Sequence, residues 1–120
     1  MTRMTRAPEK TEPLEMRAVY GDTLVELGEA DDRIVVLDAD LMRSNGTMVF
    51  KERFPDRAID VGVAEANMIG IAAGLSTTGL IPFPATFTCF ASRRVFDQFF
   101  ISANYARQNV KLTGTDPGIT

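Results

Sequence analysis

Glu65 is the residue whose surroundings in the sequence most clearly suit acid–base chemistry. It follows the short apolar run 58–62 and begins a stretch of small and apolar residues that extends to Leu75. This pattern predicts a buried strand, a tight turn and a helix with an acid in its first turn. A carboxylate in a dry cleft can hold or transfer a proton, but an acid at a helix start also gains about 0.3–1 kcal/mol from the helix dipole without any other role. The local pattern leaves both interpretations open.

Further polar and aromatic candidates stand after the other predicted strands. They are Asp38 and Asp40, then Thr86 and Phe87, then Thr115 and Asp116. Ligands of open α/β sheets bind beyond the carboxyl ends of the strands. We therefore expect these residues to gather with Glu65 at one edge of the sheet.

Aromatic rings and arginines cluster just beyond the third predicted strand. Phe87 and Phe90 flank Cys89 in a predicted turn. Their rings could meet a flat ligand there, although core packing is the default role of a phenylalanine. Arg93 and Arg94 are interpreted either as solvated residues at a helix start or as a pair that holds a phosphate through bidentate hydrogen bonds.

The composition narrows the chemistry that this chain can perform alone. It has 120 residues, a formal charge of −3 and no histidine. The length favours one domain at most, and the charge gives no basic surface for nucleic acid. Without histidine, a general base must be a carboxylate, a lysine, a tyrosine, a cofactor or a group from another chain. No metal site is expected from this chain alone.

The cysteine count and the lengths of the apolar runs indicate the cellular compartment. The chain has one cysteine, Cys89, which excludes an internal disulfide and suits a reducing cytoplasm. No apolar run is long enough to span a membrane, and the N-terminus lacks the apolar core of a secretory signal. The sequence therefore predicts a cytoplasmic protein.

Apolar runs and breaker residues divide the chain into alternating helices and strands. Residues 1–13 are predicted to be a flexible leader, and a helix is predicted from Leu14 to an end at Gly28. Further strands are predicted at 33–38, 58–62, 80–83 and 109–114, further helices at 47–54, 65–78 and 90–107, and a polar loop at 38–46. Because Pro82 cannot donate a hydrogen bond to a sheet, its strand is predicted to be irregular or at an edge.

This alternation predicts an α/β fold of three layers, in which a mostly parallel sheet carries helices on both faces. The chain stops just after the fourth predicted strand, so the fold is expected to be incomplete at the C-terminus. Gly70 and Gly74 lie inside the helix 65–78, where each glycine costs about 1 kcal/mol relative to alanine. We expect a closely packed backbone to offset this cost, either an internal strand or a second subunit.

Several separated motifs stand in an order that is typical of one enzyme family. They are the loop Asp38–Asn45, the block Asp60–Leu75, the pairs Pro82-Phe83 and Thr86-Phe87, then Phe90, and the triplet Phe96-Asp97-Gln98. From about Arg17 to Gly118 the chain resembles the pyrimidine-binding domain of transketolases. It is most similar to the separate C-terminal subunit of split bacterial transketolases, in truncated form. The resemblance implies that residues 14–120 form part of the pyrimidine-binding domain of a thiamine diphosphate enzyme, which moves a two-carbon ketol unit between sugars or sugar phosphates.

The resemblance also implies roles at the cofactor. Glu65 matches the glutamate that hydrogen-bonds N1′ of the aminopyrimidine ring and so activates thiamine diphosphate. Phe87 and Phe90 match rings that enclose this pyrimidine. Asp40 matches an acid near the cofactor and the subunit interface.

Substrate contacts are implied at Arg17 and Ser44, which match positions that bind the sugar phosphate. Arg94 is a further candidate for substrate binding. Asp116 is also a candidate for substrate binding, but here the chain departs from the family. Many transketolases carry a phosphate-contacting histidine where Thr115-Asp116-Pro117 stands. An acid at this place would repel phosphate, which argues against ordinary pentose phosphate substrates or moves phosphate recognition elsewhere.

In this family a second domain binds the diphosphate and its Mg²⁺. The sequence has no Gly-Asp-Gly run with a downstream asparagine that would mark such a domain. The resemblance therefore implies a diphosphate-binding partner subunit, a dimer of heterodimers, and activity only in that assembly. Two alternatives stay open: an enzyme similar to 1-deoxy-D-xylulose 5-phosphate synthase, and a non-catalytic fragment that only assembles with the partner.

Overall fold

Four parallel strands form the sheet of this computed structural model, which describes residues 13–118. The strands are β1 (Ile34–Asp38), β2 (Ala58–Asp60), β3 (Ile81–Phe87) and β4 (Thr113–Thr115), in the spatial order β2-β1-β3-β4. All neighbouring pairs are parallel, so the carboxyl ends of the strands lie at one edge of the sheet. We call this edge the carboxyl edge.

Helices lie between the strands in the chain. The α-helices are α1 (Met16–Ala30), α2 (Met42–Asn45), α3 (Met48–Arg53), α4 (Glu65–Thr77) and α5 (Phe96–Gln98), with a 3₁₀ turn at Pro55–Arg57 and π-helical segments at Phe90–Arg94 and Phe99–Tyr105. No helix in the described part of the chain is both long and apolar enough to cross a membrane.

The core has two halves, one on each face of β1, and every residue of this strand is buried. On one face, α1 and α3 pack Leu24 and Phe50 against Ile34 and Val36. The other face, formed by the alternate residues of β1, packs against Met68 and Ala72 of α4. Helices therefore cover both faces of a parallel sheet, and the predicted three-layer α/β fold is confirmed.

The prediction that Pro82 marks an irregular or edge strand was wrong, because β3 lies inside the sheet between β1 and β4. The N–H of Ile81 bonds to Arg33 on the β1 side, so the next residue points its backbone nitrogen to the β4 side. The backbone nitrogens of Pro82 and Pro84 therefore face the β4 side, where pairing begins only at Ala85. The carbonyl of Pro82 still accepts a hydrogen bond from the N–H of Lys111.

The predicted end of the first helix at Gly28 was also wrong, since α1 continues to Ala30. A Cβ atom at Gly28 would lie 2.7 Å from a ring carbon of Phe50 and 2.8 Å from one of Phe54. The glycine is therefore required by the packing of two aromatic rings against the helix, and not by helix termination.

Two further predictions differ in detail. The predicted polar loop 38–46 contains the short helix α2. The predicted helix 90–107 contains two π-helical segments, which shift the faces on which later side chains lie. The predicted leader lies outside the described residues except for Pro13.

Candidate active site

The turn between β2 and α4 places Glu65 at the first position of the helix. Gly62 has a φ of 74°, a left-handed conformation that glycine adopts at no steric cost. Oδ1 of Asp60 accepts hydrogen bonds from the N–H groups of Gly62 and Asp40, both at 2.9 Å. This carboxylate ties the turn before Glu65 to the loop after β1, in which Asp40 is exposed with a φ of 62°.

Glu65 lies in a group of residues that we call the Glu65 cluster: Glu65, Phe87, Phe90 and Arg94. Glu65 is only 4% exposed, and its Oε1 accepts a hydrogen bond from Nη1 of Arg94 at 3.1 Å. The guanidinium of Arg94 lies 4.2 Å from the centroid of the Phe90 ring, whose centroid lies 6.3 Å from that of Phe87. Arg94 therefore links Glu65 to Phe90, and Phe90 lies beside Phe87.

A second polar group is buried at the end of β1. Asp38 is wholly buried and accepts hydrogen bonds from the Leu41 N–H at 2.7 Å, the Asn45 amide at 2.9 Å and the Thr47 hydroxyl at 2.7 Å. Oδ1 of Asn45 accepts a further bond from the Thr115 hydroxyl at 2.6 Å. Burial raises the pKa of Asp38, and these donors to the carboxylate oppose the shift. We call Asp38, Asn45, Thr47 and Thr115 the Asp38 network.

Arg17 and Asp116, two predicted substrate residues, line one cavity of about 550 Å³ between the start of α1 and the end of β4. Nε of Arg17 donates to Glu15 at 2.7 Å, and this bond raises the pKa of Arg17. Asp116 is exposed, with a φ of 50°. Tyr20 and Thr115 also line the cavity, so its wall contains groups of both charges and uncharged hydroxyls.

Ser44, a third predicted substrate residue, lies on α2 beside a close contact between two backbones. Gly46 follows α2 with a φ of 80°, and a Cβ atom on it would collide with the carbonyl oxygen of Arg17. A Cβ atom on Gly21 would collide with the carbonyl oxygen of Gly46. The contact therefore holds the backbone of Arg17 against the loop that carries Ser44.

The structure brings most of these candidates together in two groups, the Glu65 cluster and the cavity with Arg17 and Asp116. Asp40 and Ser44 belong to neither group and lie on the segment that follows β1. Arg94 does not line that cavity, and its role in substrate binding stays a prediction. Sequence reasoning missed the bonds of Asn45 and Thr47 to Asp38. An acid at the end of an apolar strand was the available signal, because a buried carboxylate requires nearby donors.

Comparison with known protein families matches nearly the whole chain. Residues 12–120 match the family described as transketolase, pyrimidine binding domain. The chain belongs to this family. The α/β fold of this chain is thus that of a transketolase pyrimidine-binding domain.

Individual relatives of this transketolase domain agree. A 6-deoxy-6-sulfo-D-fructose transketolase subunit from Clostridium sp. (strain MSTE9) is 58% identical over 111 residues, which are 92% of this chain and 34% of the relative. A 1-deoxy-D-xylulose-5-phosphate synthase from Aquifex aeolicus is 38% identical over 88% of this chain and 16% of its own length. A solved structure, described as a split gene transketolase in an inactive β4 tetramer, has a TM-score of 0.74 and 49% identity and covers 82% of this chain and 33% of its own. The domain therefore spans about a third or less of each relative.

The residue types of the Glu65 cluster suit the pyrimidine ring of thiamine diphosphate, because a carboxyl oxygen can share a proton with a ring nitrogen and phenylalanine rings can pack on a flat heterocycle. In this structure Arg94 bonds to Glu65 and lies over the Phe90 ring, so a bound ring would share or replace these contacts. Among residues 13–118, no group of three or more His, Cys, Asp or Glu side chains is arranged to hold a metal ion.

Proposed function

We propose that this domain works in a thiamine diphosphate-dependent transketolase that transfers a two-carbon ketol unit between sugars. The observation that carries the proposal is the buried carboxylate of Glu65 at the start of α4, in a cluster with the ring of Phe90. A carboxylate is rarely this buried unless it has a paired or functional role. Membership of the transketolase family supports the reaction class.

The residues of the Glu65 cluster act on the pyrimidine ring. Glu65 holds a proton between its carboxyl oxygen and the ring nitrogen N1′, and Phe87 and Phe90 enclose the ring and exclude water. When bound, thiamine diphosphate supplies the nucleophilic carbon that takes up the ketol unit. Asp40, in the loop that Asp60 fastens to the turn before Glu65, lies near the cofactor and the subunit interface in this proposal.

The assembly is part of the proposal. A diphosphate-binding partner subunit holds the diphosphate and Mg²⁺, and the enzyme is a cytoplasmic dimer of heterodimers. The split transketolase relative supports a required partner, because its β4 tetramer is described as inactive. The single cysteine, Cys89, is compatible with a reducing compartment.

The proposed donor is 6-deoxy-6-sulfo-D-fructose, with a sugar phosphate as the acceptor. The relative that is 58% identical is named for this sulfosugar. Asp116 stands where many transketolases carry a phosphate-contacting histidine, and its carboxylate would repel a sulfonate as well as a phosphate, so other residues hold the anionic end of the sugar in this proposal. Arg17 and Ser44 contact the sugar in this proposal.

A ketol-transfer assay of the assembled enzyme tests the proposed function. The donors are 6-deoxy-6-sulfo-D-fructose, fructose 6-phosphate and pyruvate, each with an aldose phosphate acceptor. We expect transfer from the sulfosugar and no turnover of pyruvate. Turnover of pyruvate alone would favour the synthase-like alternative, and assembly without turnover would favour the non-catalytic fragment.

Glu65→Gln tests the role of the acid. We expect the variant to assemble and to bind thiamine diphosphate, but to slow exchange of the cofactor's C2 proton with D₂O by about 10²-fold or more, measured by NMR after an acid quench. Asp97→Asn is the control, because Asp97 is an exposed acid at the start of α5. Unchanged exchange in Glu65→Gln would remove Glu65 from the mechanism.

A further inference from the structure

The Asp38 network joins three elements of the carboxyl edge. Asp38 ends β1, Asn45 ends α2 and Thr115 ends β4. Asn45 bonds to both of the others, at 2.9 Å to Asp38 and at 2.6 Å to Thr115. Asp38 and Asn45 are wholly buried, so water does not compete for the bond between them, whereas the bond from Thr115 is partly buried at the wall of the cavity.

The chemistry of Asp38 sets the direction of each bond. An ionised carboxylate only accepts, so Asn45 turns its NH₂ group towards Oδ2 of Asp38. The amide oxygen of Asn45 then faces Thr115, whose hydroxyl must donate its one proton to that oxygen. The Thr115 hydroxyl can therefore only accept hydrogen bonds from its other neighbours.

A buried charge needs an explanation beyond stability. A carboxylate loses its hydration on burial, and its hydrogen bonds in the interior offset this loss only when its oxygens are well satisfied. Leu41, Asn45 and Thr47 supply the donors here. A neutral side chain would avoid the desolvation cost, but it would not impose one direction on the bonds between Asn45 and Thr115.

We propose that Asp38 is a positioning residue for sugar recognition, which acts through Asn45 to set the place and the hydrogen-bond polarity of Thr115. Thr115 lines the same cavity as Arg17 and Asp116. Because its proton is committed to Asn45, Thr115 accepts a bond from a sugar hydroxyl and does not donate one to an anionic group. The carboxylate of Asp116 has the same preference. The inference rests on the proposed function, since it takes the sugar to bind in this cavity.

Steady-state kinetics of the assembled enzyme test the inference. Thr115→Val removes the hydroxyl at nearly constant volume, Thr115→Ser keeps it, and Asp38→Asn removes the charge. We expect Thr115→Val and Asp38→Asn each to raise the KM for the sulfosugar about tenfold, with kcat and the Kd of thiamine diphosphate changed less than about twofold. We expect Thr115→Ser to retain a KM near that of the wild type.

Thr47→Val is the matched control. It removes another donor from the same carboxylate at a wholly buried position, but it leaves the bond between Asn45 and Thr115 in place. An increase in KM equal to that of Thr115→Val would show general loosening of the loop and would contradict the inference.

A double-mutant cycle distinguishes a link between Asp38 and Thr115 from two independent effects on KM. Asp38 and Thr115 share no direct hydrogen bond and are connected through Asn45. The double variant Asp38→Asn/Thr115→Val should therefore raise KM no more than the larger single change, whereas two independent effects would multiply to about a hundredfold. If Asp38→Asn does not fold, Asn45→Ala replaces it in the same cycle.

The same cycle in melting temperature does not depend on turnover. We expect the two substitutions to lower Tm by less together than the sum of their separate effects. A wild-type enzyme without ketol transfer would refute the proposed function, while additive changes in Tm would refute the link itself. The two failures are thus distinguishable.

Discussion

Nη1 of Arg94 lies 3.1 Å from Oε1 of Glu65, so the acid proposed to act on the cofactor is paired with a cation of its own domain. The same guanidinium lies 4.2 Å from the centroid of the Phe90 ring. Arg94 therefore makes the two contacts, with Glu65 and with the Phe90 ring, that we propose for the pyrimidine ring. Binding of the cofactor therefore requires Arg94 to move or to share the carboxylate.

Arg94→Met tests how much this pair stabilises the fold. The side chain of Arg94 is 52% exposed and that of Glu65 is 4% exposed, so solvent weakens the attraction but removal of Arg94 leaves a buried charge. We expect Arg94→Met to lower the free energy of unfolding by about 1–3 kcal/mol, and Glu65→Gln to restore most of it in the same chain, because an amide needs no counter-charge. Urea denaturation measures both.

The control for this pair is Arg93→Met, since Arg93 is exposed in the same π-helical segment. We expect it to change the free energy of unfolding by less than about 0.5 kcal/mol. Equal losses in the two arginine variants would mean that the bond to Glu65 contributes nothing measurable.

Phe90→Ala should weaken the binding of thiamine diphosphate to the assembled enzyme. The ring of Phe90 stands in the Glu65 cluster, and its removal takes away a face for the pyrimidine ring and leaves space for water. We expect the Kd to rise by about ten- to a hundredfold, as measured by titration calorimetry. Phe96→Ala is the control, because Phe96 is 63% exposed and stacks on Phe100. A normal Kd in Phe90→Ala would place Phe90 outside the cofactor site.

Gly21→Ala and Gly70→Ala should have opposite effects, although both glycines lie inside helices. A Cβ atom at Gly21 would collide with the carbonyl oxygen of Gly46, whereas one at Gly70 meets no described atom within 4 Å. We expect Gly21→Ala to lower the free energy of unfolding by about 1–3 kcal/mol and Gly70→Ala to raise it by up to about 1 kcal/mol. Chemical denaturation gives the sign of each change.

Gly70→Ala also tests the expected close packing of a backbone on α4. No strand of the described residues lies against Gly70 or Gly74, which leaves a second subunit as the predicted neighbour. A variant that is more stable but assembles poorly would support that subunit contact. A variant that is more stable and assembles normally would show that the contact does not exist.

Tyr20→Phe should reduce the alkaline sensitivity of the fold. Burial raises the pKa of Tyr20 above 10.0, and nearby Thr113 opposes part of this shift. Among residues 13–118, no group is placed to form a good hydrogen bond with the Tyr20 hydroxyl. Above pH 10 the unfolded chain loses this proton while the folded chain keeps it, so the stability contributed by Tyr20 is complete below pH 10 and is lost as the pH rises through the folded pKa.

Denaturation curves between pH 9 and pH 11 measure this effect. We expect the wild type to lose stability with pH more steeply than Tyr20→Phe, which at neutral pH should be equally stable or more stable because no unpaired hydroxyl is buried. Tyr105→Phe is the control, since Tyr105 is 79% exposed. The same slope in Tyr20→Phe and in the wild type would contradict the burial of the phenol.

The alternation of apolar runs was sufficient to predict the α/β fold, the layers and the place of Glu65, because each depends on local periodicity. Features that depend on contacts between distant segments were not predictable in this way. The sequence suggested a helix end at Gly28, because the two rings that pack beside this glycine lie far along the chain, on α3 and just after α3. Pro82 read as an edge residue, since the late start of β4 is not visible in the sequence of β3.

The candidate site shows the same division. Glu65 and the rings of Phe87 and Phe90 were found from their positions around predicted strands. Arg94, which bonds to Glu65, ends a π-helical segment that the periodicity of the sequence did not predict. The bond from Thr115 to Asn45 joins residues 70 positions apart, and no local pattern contains it.

The two prolines of β3 also prevent β4 from sliding along its neighbour. If β4 slipped towards the amino end of β3, it would come to stand beside Pro82 and Pro84, which have no proton to give to its carbonyl oxygens. The observed alignment, with Thr115 level with Phe87, places β4 beside residues of β3 that have N–H groups. Phe87 and Thr115, which are far apart in the chain, are thus held side by side at the carboxyl edge, so the proposed cofactor ring and the proposed sugar hydroxyl keep a fixed spacing.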